Sequence, residues 1–289
     1  MPCLFAVSTK NWRHTVTGET LKWPLRTLWQ HFRRARSRDI PMWSGIYANF
    51  DEVPVVGAGF EGRRFGEQTQ EATRLLIEET RKQRLPKQTT CQNSLLPLLG
   101  VIAGQRNGKV SILDFGGGTG TAFVHMLAST PPSLEIKFDV IETPSTCELG
   151  EQLFSDESRI NFHTALPERD NQFDIVHISS ALQYVTDYRE TLVDLCRFKA
   201  QYFLLANLSA AAIPTYATAQ RVYNDMVVPY WFLNLNEVID IMKSESYRLL
   251  WKAAVEREYM QANFPPEYRL GRTCNLLFRH DTDSIEQTH

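Results

Sequence analysis

The chain has 289 residues, a formal net charge of −2, 43% hydrophobic residues and 22% charged residues. These ordinary values predict a globular protein, and the lack of a basic excess argues against a nucleic-acid partner. The five cysteines are far apart, so the sequence indicates no metal site and no disulfide framework, and it predicts a reduced, cytoplasmic setting. No apolar run approaches the roughly 20 residues of a transmembrane helix.

The first patterned segment is strongly basic and covers residues 25–38, LRTLWQHFRRARSR. Its apolar residues recur at helical spacing, which predicts a helix with one apolar face and one basic face. Such a helix can lie on a membrane surface. It can also pack on the main domain with its basic face in solvent, and the shortness of the charged run favours this alternative.

The rest of the first hundred residues predicts helices and loops. Good helix formers fill residues 66–84, and a second apolar helix is predicted over 94–104, with Pro97 near its start. Residues 43–60 are aromatic and turn-rich, with no clear period. We therefore expect a helical N-terminal extension, or cap, over residues 1–104.

Beyond Asn107 the sequence alternates between short apolar strands and helices. Strands are predicted over 109–115, 134–142, 160–166, 173–182, 200–208, from 247, and over 273–280. Helices are predicted over 122–129, 147–154, 188–198 and 236–243. The alternation is typical of βαβ units, and near-continuous apolar strands favour a sheet covered on both faces. We expect an α/β, Rossmann-like, doubly wound and mostly parallel seven-stranded sheet over residues 105–280, followed by a frayed tail, 281–289.

One loop concentrates glycine between the first of these strands and its helix, in the stretch SILDFGGGTGTAF, residues 111–123. The carboxyl edge of an open parallel sheet is where ligands bind. A phosphate-binding P-loop would need a lysine after the last glycine, Gly120, and none is there. The dinucleotide pattern GxGxxG also fails, because Thr121 or Phe123 stands where the third glycine belongs. This disfavours the alternative of an NAD(P)-dependent oxidoreductase.

The pattern that does fit is an acidic residue followed by spaced glycines, and LDFGGGTG resembles motif I of the class I S-adenosylmethionine-dependent methyltransferases. Glycine lets the backbone approach a ligand closely. The carboxylate of Asp114 suits the cationic amine of an amino-acid head group, whereas it would repel a phosphate. The resemblance implies S-adenosylmethionine as cofactor, bound by Asp114, Gly116, Gly117, Gly118 and Gly120.

Glu142 ends the next predicted strand, where a carboxylate can accept both hydroxyls of a ribose. A solvated strand-end acid is the alternative for this residue alone. Class I methyltransferases carry an acid at this point, so the resemblance implies that Glu142 is the ribose ligand. It also implies further neighbours of the cofactor, each of which could equally be a packing residue. They are Thr164, Ala165 and Leu166 beside the adenine, and Ser179, Ser180 and Ala181 near the transferable methyl group.

A narrower resemblance rests on WSGIY, NFDEV and IVHISSALQYV. Together with the glycine loop, these segments are similar to a family of predicted methyltransferases associated with bacterial cell-surface polysaccharide gene clusters. The resemblance implies a substrate area rather than a reaction. We expect methylation at oxygen of a small-molecule or saccharide acceptor, in surface polysaccharide or secondary metabolite biosynthesis. A scaffold that binds S-adenosylmethionine without catalysis is the alternative.

Transfer to a hydroxyl benefits from a general base, and the sequence singles out none. The candidates are His177, Tyr184, His125 and His163, each of which could be a core residue instead. The aromatic stretch 216–234 could form a substrate lid through Tyr223, Tyr230 and Trp231, or it could be packing of an insertion. By analogy with the fold, Trp43 and Tyr47 are expected to cover the cofactor cleft.

Overall fold

The structure is a computed structural model that describes residues 41–82, 92–168, 172–223, 225–255, 259 and 261–281. The predicted basic helix over 25–38 and the tail beyond residue 281 lie outside these ranges. Within them, no helix is both long enough and apolar enough to cross a membrane.

The described chain alternates strands and helices over most of its length. The strands are β1 (Trp43–Tyr47), β2 (Lys109–Phe115), β3 (Glu135–Ile141), β4 (Ile160–His163), β5 (Ile175–Ser179), β6 (Tyr202–Leu208), β7 (Ala210–Ala211), β8 (Tyr216–Tyr223), β9 (Met226–Asn234), β10 (Tyr247–Ala254) and β11 (Cys274–His280). The α-helices are α1 (Arg63–Lys82), α2 (Gln92–Ala103), α3 (Thr121–Ser129), α4 (Pro144–Leu153), α5 (Tyr188–Cys196) and α6 (Leu235–Ser244).

Seven strands form one large sheet in the order β10-β11-β6-β5-β2-β3-β4. The strands from β6 to β4 pair in parallel, and β10 and β11 are antiparallel. The predicted α/β, mostly parallel, seven-stranded fold is therefore confirmed.

Helices cover both faces of this sheet because successive strand residues point to opposite sides. On β2, Ile112 belongs to the hydrophobic cluster that includes Leu99 of α2 and Phe123 of α3. The next residue, Leu113, belongs to the cluster on the other face, with α5 and α6. This explains why the strands read as continuous apolar runs.

Two predicted strands are shorter than expected. The strand predicted over 160–166 ends at His163, and the strand predicted over 173–182 ends at Ser179. After β5 the chain turns at once, because Ser180 has φ of 57° and a 3-10 helix follows over Leu182–Tyr184. The residues expected near the ligand thus lie in loops at the sheet edge.

The remaining strands make a four-stranded sheet in the order β1-β8-β9-β7. The expectation of only helices and loops before residue 104 is wrong at Trp43–Tyr47, which pairs with β8. The predicted lid or insertion over 216–234 is an antiparallel hairpin, β8 and β9. A hairpin fits either alternative, a lid or an insertion. The partners of β1, such as Trp43 and Gln220, are too far apart in sequence for local patterns to reveal their pairing.

Candidate functional site

The glycine loop joins β2 to α3 at the carboxyl edge of the large sheet. Gly116, Gly118 and Gly120 have φ of 68°, 60° and 88°, in the left-handed region that glycine adopts without strain. A Cβ added to Gly116 would lie 2.2 Å from the Cβ of Ala181. Backbone therefore packs where no side chain would fit, between the loop and the turn after β5.

Asp114 lies beneath this loop as a buried carboxylate. One of its oxygens, Oδ1, is 2.7 Å from Nδ1 of His177 on the neighbouring strand, and their side chains are 2% and 6% exposed. The other oxygen, Oδ2, has no hydrogen-bond partner in the described part of the chain. A Cβ on Gly117 would stand 2.4 Å from that oxygen. A negative charge thus lies directly under the loop.

Glu142 stands at the rim of the loop, just after β3. One carboxylate oxygen accepts the N–H of Gly118 at 3.0 Å, and the other accepts the N–H of Thr143 at 2.9 Å. Burial raises the pKa of this carboxyl, and the two backbone donors partly oppose the rise. The carboxylate is thereby held against the glycine loop in a fixed direction.

The other residues predicted beside the cofactor lie along the same edge, because β4, β3, β2 and β5 are consecutive in the sheet. Thr164 and Ala165 are exposed just after β4, and Ser179 is the last residue of β5. The fold brings the predicted set to one edge, and the cofactor-binding role of each residue stays a prediction.

Helix α1 contacts the glycine loop, a contact that the sequence did not indicate. The Thr73 hydroxyl is 2.8 Å from that of Thr119 and 2.9 Å from that of Thr121. The Thr119 hydroxyl also donates to the carbonyl of Thr69 at 3.3 Å. A threonine that stands among the apolar residues of α1 is the local sequence signal that could have suggested this contact. Trp43 is buried in the small sheet, where its ring contacts those of Tyr230 and Phe232, and its place over the cofactor cleft stays a prediction.

The four candidate bases occupy different surroundings. His177 is bound to Asp114, and Nε2 of His163 is 2.7 Å from the Asp139 carboxylate. His125 is buried in α3, and desolvation lowers its pKa. Tyr184 is half-buried, and its ring contacts Phe60 and Tyr230 at centroid distances of 4.6 and 4.9 Å.

A buried polar cluster lies beyond β5 and β6, next to Tyr184. The Gln183 amide donates to the Asn207 carbonyl at 2.9 Å and lies 3.4 Å from the Ser209 hydroxyl. That hydroxyl is also hydrogen-bonded to Tyr230. The amide oxygen of Gln183, a residue only 1% exposed, has no partner in the described ranges. These hydrogen-bonding groups distinguish this part of the sheet edge from a purely apolar packing surface.

Comparison with known proteins gives one family match. The model of the ubiE/COQ5 methyltransferase family matches residues 98–261, which include the glycine loop, Glu142 and the polar cluster. A search of curated proteins found no match.

Several solved structures are similar in fold. One is the 1,6-didemethyltoxoflavin-N1-methyltransferase of Burkholderia thailandensis, with its substrate and S-adenosylhomocysteine: identity is 14%, coverage 67% of this chain and 80% of that one, and the TM-score 0.45. The amino pentose methyltransferase CalS10 of Micromonospora echinaspora, bound to S-adenosylmethionine, is 13% identical, with coverage of 67% and 92% and a TM-score of 0.45. CcbJ of Streptomyces caelestis is 11% identical, with coverage of 65% and 88% and a TM-score of 0.44.

Proposed function

Since the chain belongs to the ubiE/COQ5 methyltransferase family, whose methyl donor is S-adenosylmethionine, we propose that it methylates an oxygen of a small-molecule or sugar-containing acceptor. The acceptor class follows the resemblance to methyltransferases of surface-polysaccharide gene clusters. The choice of oxygen is supported by the buried polar cluster around Gln183.

The carboxyl edge of the large sheet is the proposed cofactor site, and its residues fit that group. The loop glycines leave room for a ligand against bare backbone. The unpartnered oxygen of Asp114 provides negative charge for the amine of the cofactor, without need of a direct contact. Glu142 accepts the ribose hydroxyls, as a half-buried carboxylate with a fixed orientation can.

The neighbouring strand ends complete this proposed arrangement. Thr164 and Ala165, after β4, lie beside the adenine. Ser179 and Ser180, after β5, lie beside the amino-acid end. The order of the strands, in which β3 and β5 flank β2 on opposite sides, supports this arrangement.

The buried side chain of Gln183 is the main support for a hydroxylated acceptor. Its buried amide oxygen lacks a hydrogen-bond partner in the described chain, and an unsatisfied buried acceptor is costly. A hydroxyl group of a bound acceptor would satisfy it after the surrounding side chains open, because the oxygen is fully buried in this structure. Gln183 is two residues after Ala181, which packs against Gly116 of the loop, so an acceptor held there would lie beside the cofactor.

Bound S-adenosylmethionine supplies a sulfonium methyl group, and an oxygen nucleophile takes it by in-line displacement while sulfur keeps the electron pair. The chain's contribution is mainly to hold the two reactants in line. Gln183 orients the acceptor hydroxyl, and Tyr184 is the candidate base, which would receive the proton of that hydroxyl as a phenolate. His177 serves instead as the partner of Asp114.

Transfer of an isotope-labelled methyl group tests this proposal. The protein is incubated with S-adenosylmethionine carrying a deuterated methyl group and with a fractionated metabolite extract. We expect mass spectrometry to find the label in a methyl ether, and Gln183→Leu to reduce its yield without weakening S-adenosylhomocysteine binding. Label on nitrogen or carbon would contradict O-methylation. Cofactor binding with no transfer to any acceptor would instead favour the scaffold alternative.

A further inference from the structure

Two residues at the ends of adjacent strands have unusual backbone conformations. Ser180, after β5, and Asn207, near the end of β6, have φ of 57° and 52°. Left-handed conformations are uncommon for residues other than glycine. They persist where surrounding contacts impose them, and they cluster at functional sites.

The contacts that impose them converge on Asn207, which is only 4% exposed. Its N–H donates to Oδ1 of Asn275 at 2.7 Å, and its carbonyl accepts from Gln183 at 2.9 Å. Its side-chain oxygen accepts from the Thr273 hydroxyl at 3.1 Å. Because that hydroxyl donates to the oxygen, the amide orientation is fixed.

The fixed amide determines how the Ser180 hydroxyl can act. Nδ2 of Asn207 donates to Oγ of Ser180, so the serine oxygen is used as an acceptor and its hydrogen is left to donate. The backbone N–H of Ser180 is occupied by the Ala206 carbonyl at 3.1 Å. No acceptor for the hydroxyl hydrogen lies in the described part of the chain, and Ser180 is half-buried.

Sheet order indicates which part of the cofactor this donor would meet. Glu142 follows β3, on one side of the glycine loop, and Ser180 follows β5, on the other. With the ribose at Glu142, the amino-acid chain of the cofactor extends toward β5. The free O–H of Ser180 matches the carboxylate, which only accepts hydrogen bonds. The amine would have to use the second lone pair of the serine oxygen, and loss of the carboxylate from the ligand separates these two contacts.

We infer that Asn207 is a positioning residue that holds the Ser180 hydroxyl as a hydrogen-bond donor to the methionine carboxylate of S-adenosylmethionine. The inference rests on the proposed cofactor site and goes beyond it. The left-handed conformations of Ser180 and Asn207 then serve cofactor binding. This side of the cleft recognises the carboxylate of the cofactor rather than its nucleoside.

Calorimetry with two ligands tests the inference: S-adenosylhomocysteine and its decarboxylated analogue, which keeps the nucleoside, thioether and amine. Ser180→Gly removes the hydroxyl while glycine keeps the left-handed conformation. Since the lost bond is to a charged group, we expect about tenfold weaker binding of S-adenosylhomocysteine and an unchanged affinity for the analogue. Ser246→Gly is the matched control, because Ser246 is another left-handed serine, with φ of 65°, before β10.

Asn207→Asp tests the positioning step. The new carboxylate can still accept from Thr273, but its other oxygen would accept the Ser180 hydrogen and withdraw that donor from the ligand. We expect a loss of S-adenosylhomocysteine affinity that adds little to the loss from Ser180→Gly in the double variant, because both changes remove one interaction.

The outcomes separate the inference from the proposed site. If Ser180→Gly weakens both ligands equally, or neither, the inference is wrong and the cofactor site stands. Additive losses in the double variant would show that the new charge acts on the ligand directly, and would also overturn the positioning role. If the wild-type protein binds neither ligand, the proposed site fails and the inference fails with it.

Discussion

At the scale of single residues, Glu142 has the most directly testable chemistry. Burial raises its pKa above the ordinary value of 4.5, so protonation begins at a higher pH than for an exposed glutamate. A protonated carboxyl is a weaker acceptor for ribose hydroxyls. We therefore expect S-adenosylhomocysteine affinity to fall as the pH is lowered from neutral toward 4.5, as measured by calorimetry.

Glu142→Gln is the control for this pH dependence. The amide keeps one oxygen as an acceptor for the Gly118 N–H but cannot titrate. The affinity of the variant for S-adenosylhomocysteine should be lower than that of the wild type at neutral pH, and it should stay constant as the pH falls. An equally steep fall in the variant would assign the titration to another group.

Gly116 offers a second prediction, based on packing. Alanine there meets the Cβ of Ala181 and also strains a left-handed backbone, so Gly116→Ala should abolish measurable S-adenosylhomocysteine binding. Removing the opposing methyl in the double variant Gly116→Ala/Ala181→Gly relieves the clash and leaves only the backbone cost, about 1–2 kcal/mol. Partial recovery of binding is the expected result. No recovery would mean that backbone strain, rather than the contact with the β5 turn, dominates.

Much of this site could be predicted from the sequence, because its signal is local. Asp114 and the glycines are close together, and Glu142 ends the next strand. The Asp114–His177 pair and the Asn207–Ser180 bond could not be predicted, since each joins side chains on different strands. Whether a buried acid and a histidine on adjacent strands lie opposite each other depends on the register of the two strands, which the sequence does not reveal.

At the scale of elements, α1 contributes to the loop through Thr73. Thr73→Val keeps the volume and removes the hydroxyl that joins Thr119 and Thr121. The variant removes one partner from the Thr119 hydroxyl, which keeps the Thr69 carbonyl, and one from the half-buried Thr121 hydroxyl. It should lose about 1 kcal/mol of unfolding free energy, measured by urea denaturation.

The control for Thr73 is Thr80→Val, on the same helix and half-buried. Thr80 makes no hydrogen bond to the glycine loop, so its replacement should cost much less. Equal losses in the two variants would show that the effect belongs to the helix rather than to its contact with the loop.

The large sheet was predictable as a set of elements because each strand is a short apolar run bounded by turn residues. β1 was missed because it is short and lacks alternation. The hairpin of β8 and β9 was missed as strands because its aromatic residues fit packing or a lid equally well. β1 pairs with β8, which lies far away in sequence, whereas β8 and β9 pair with each other within one hairpin.

At the scale of the whole molecule, the small sheet ties the beginning of the described chain to its last third. Trp43 is 2% exposed, with ring centroids of Tyr230 and Phe232 at 4.6 and 5.0 Å. Trp43→Ala should cost about 3–5 kcal/mol of unfolding free energy. Trp251 on β10 is 40% exposed, so Trp251→Ala should change the free energy of unfolding little. A similar cost for both would contradict the role of the small sheet as a core.

The central claim is that the carboxyl edge of the large sheet binds S-adenosylmethionine between the glycine loop and Glu142. Calorimetric titration of the folded protein with S-adenosylhomocysteine tests it most directly. We predict binding of one molecule per chain, weakened by about 1–3 kcal/mol in Glu142→Ala, with no binding of NAD or NADP. Absence of binding at millimolar ligand, or an affinity that Glu142→Ala leaves unchanged, would contradict the claim.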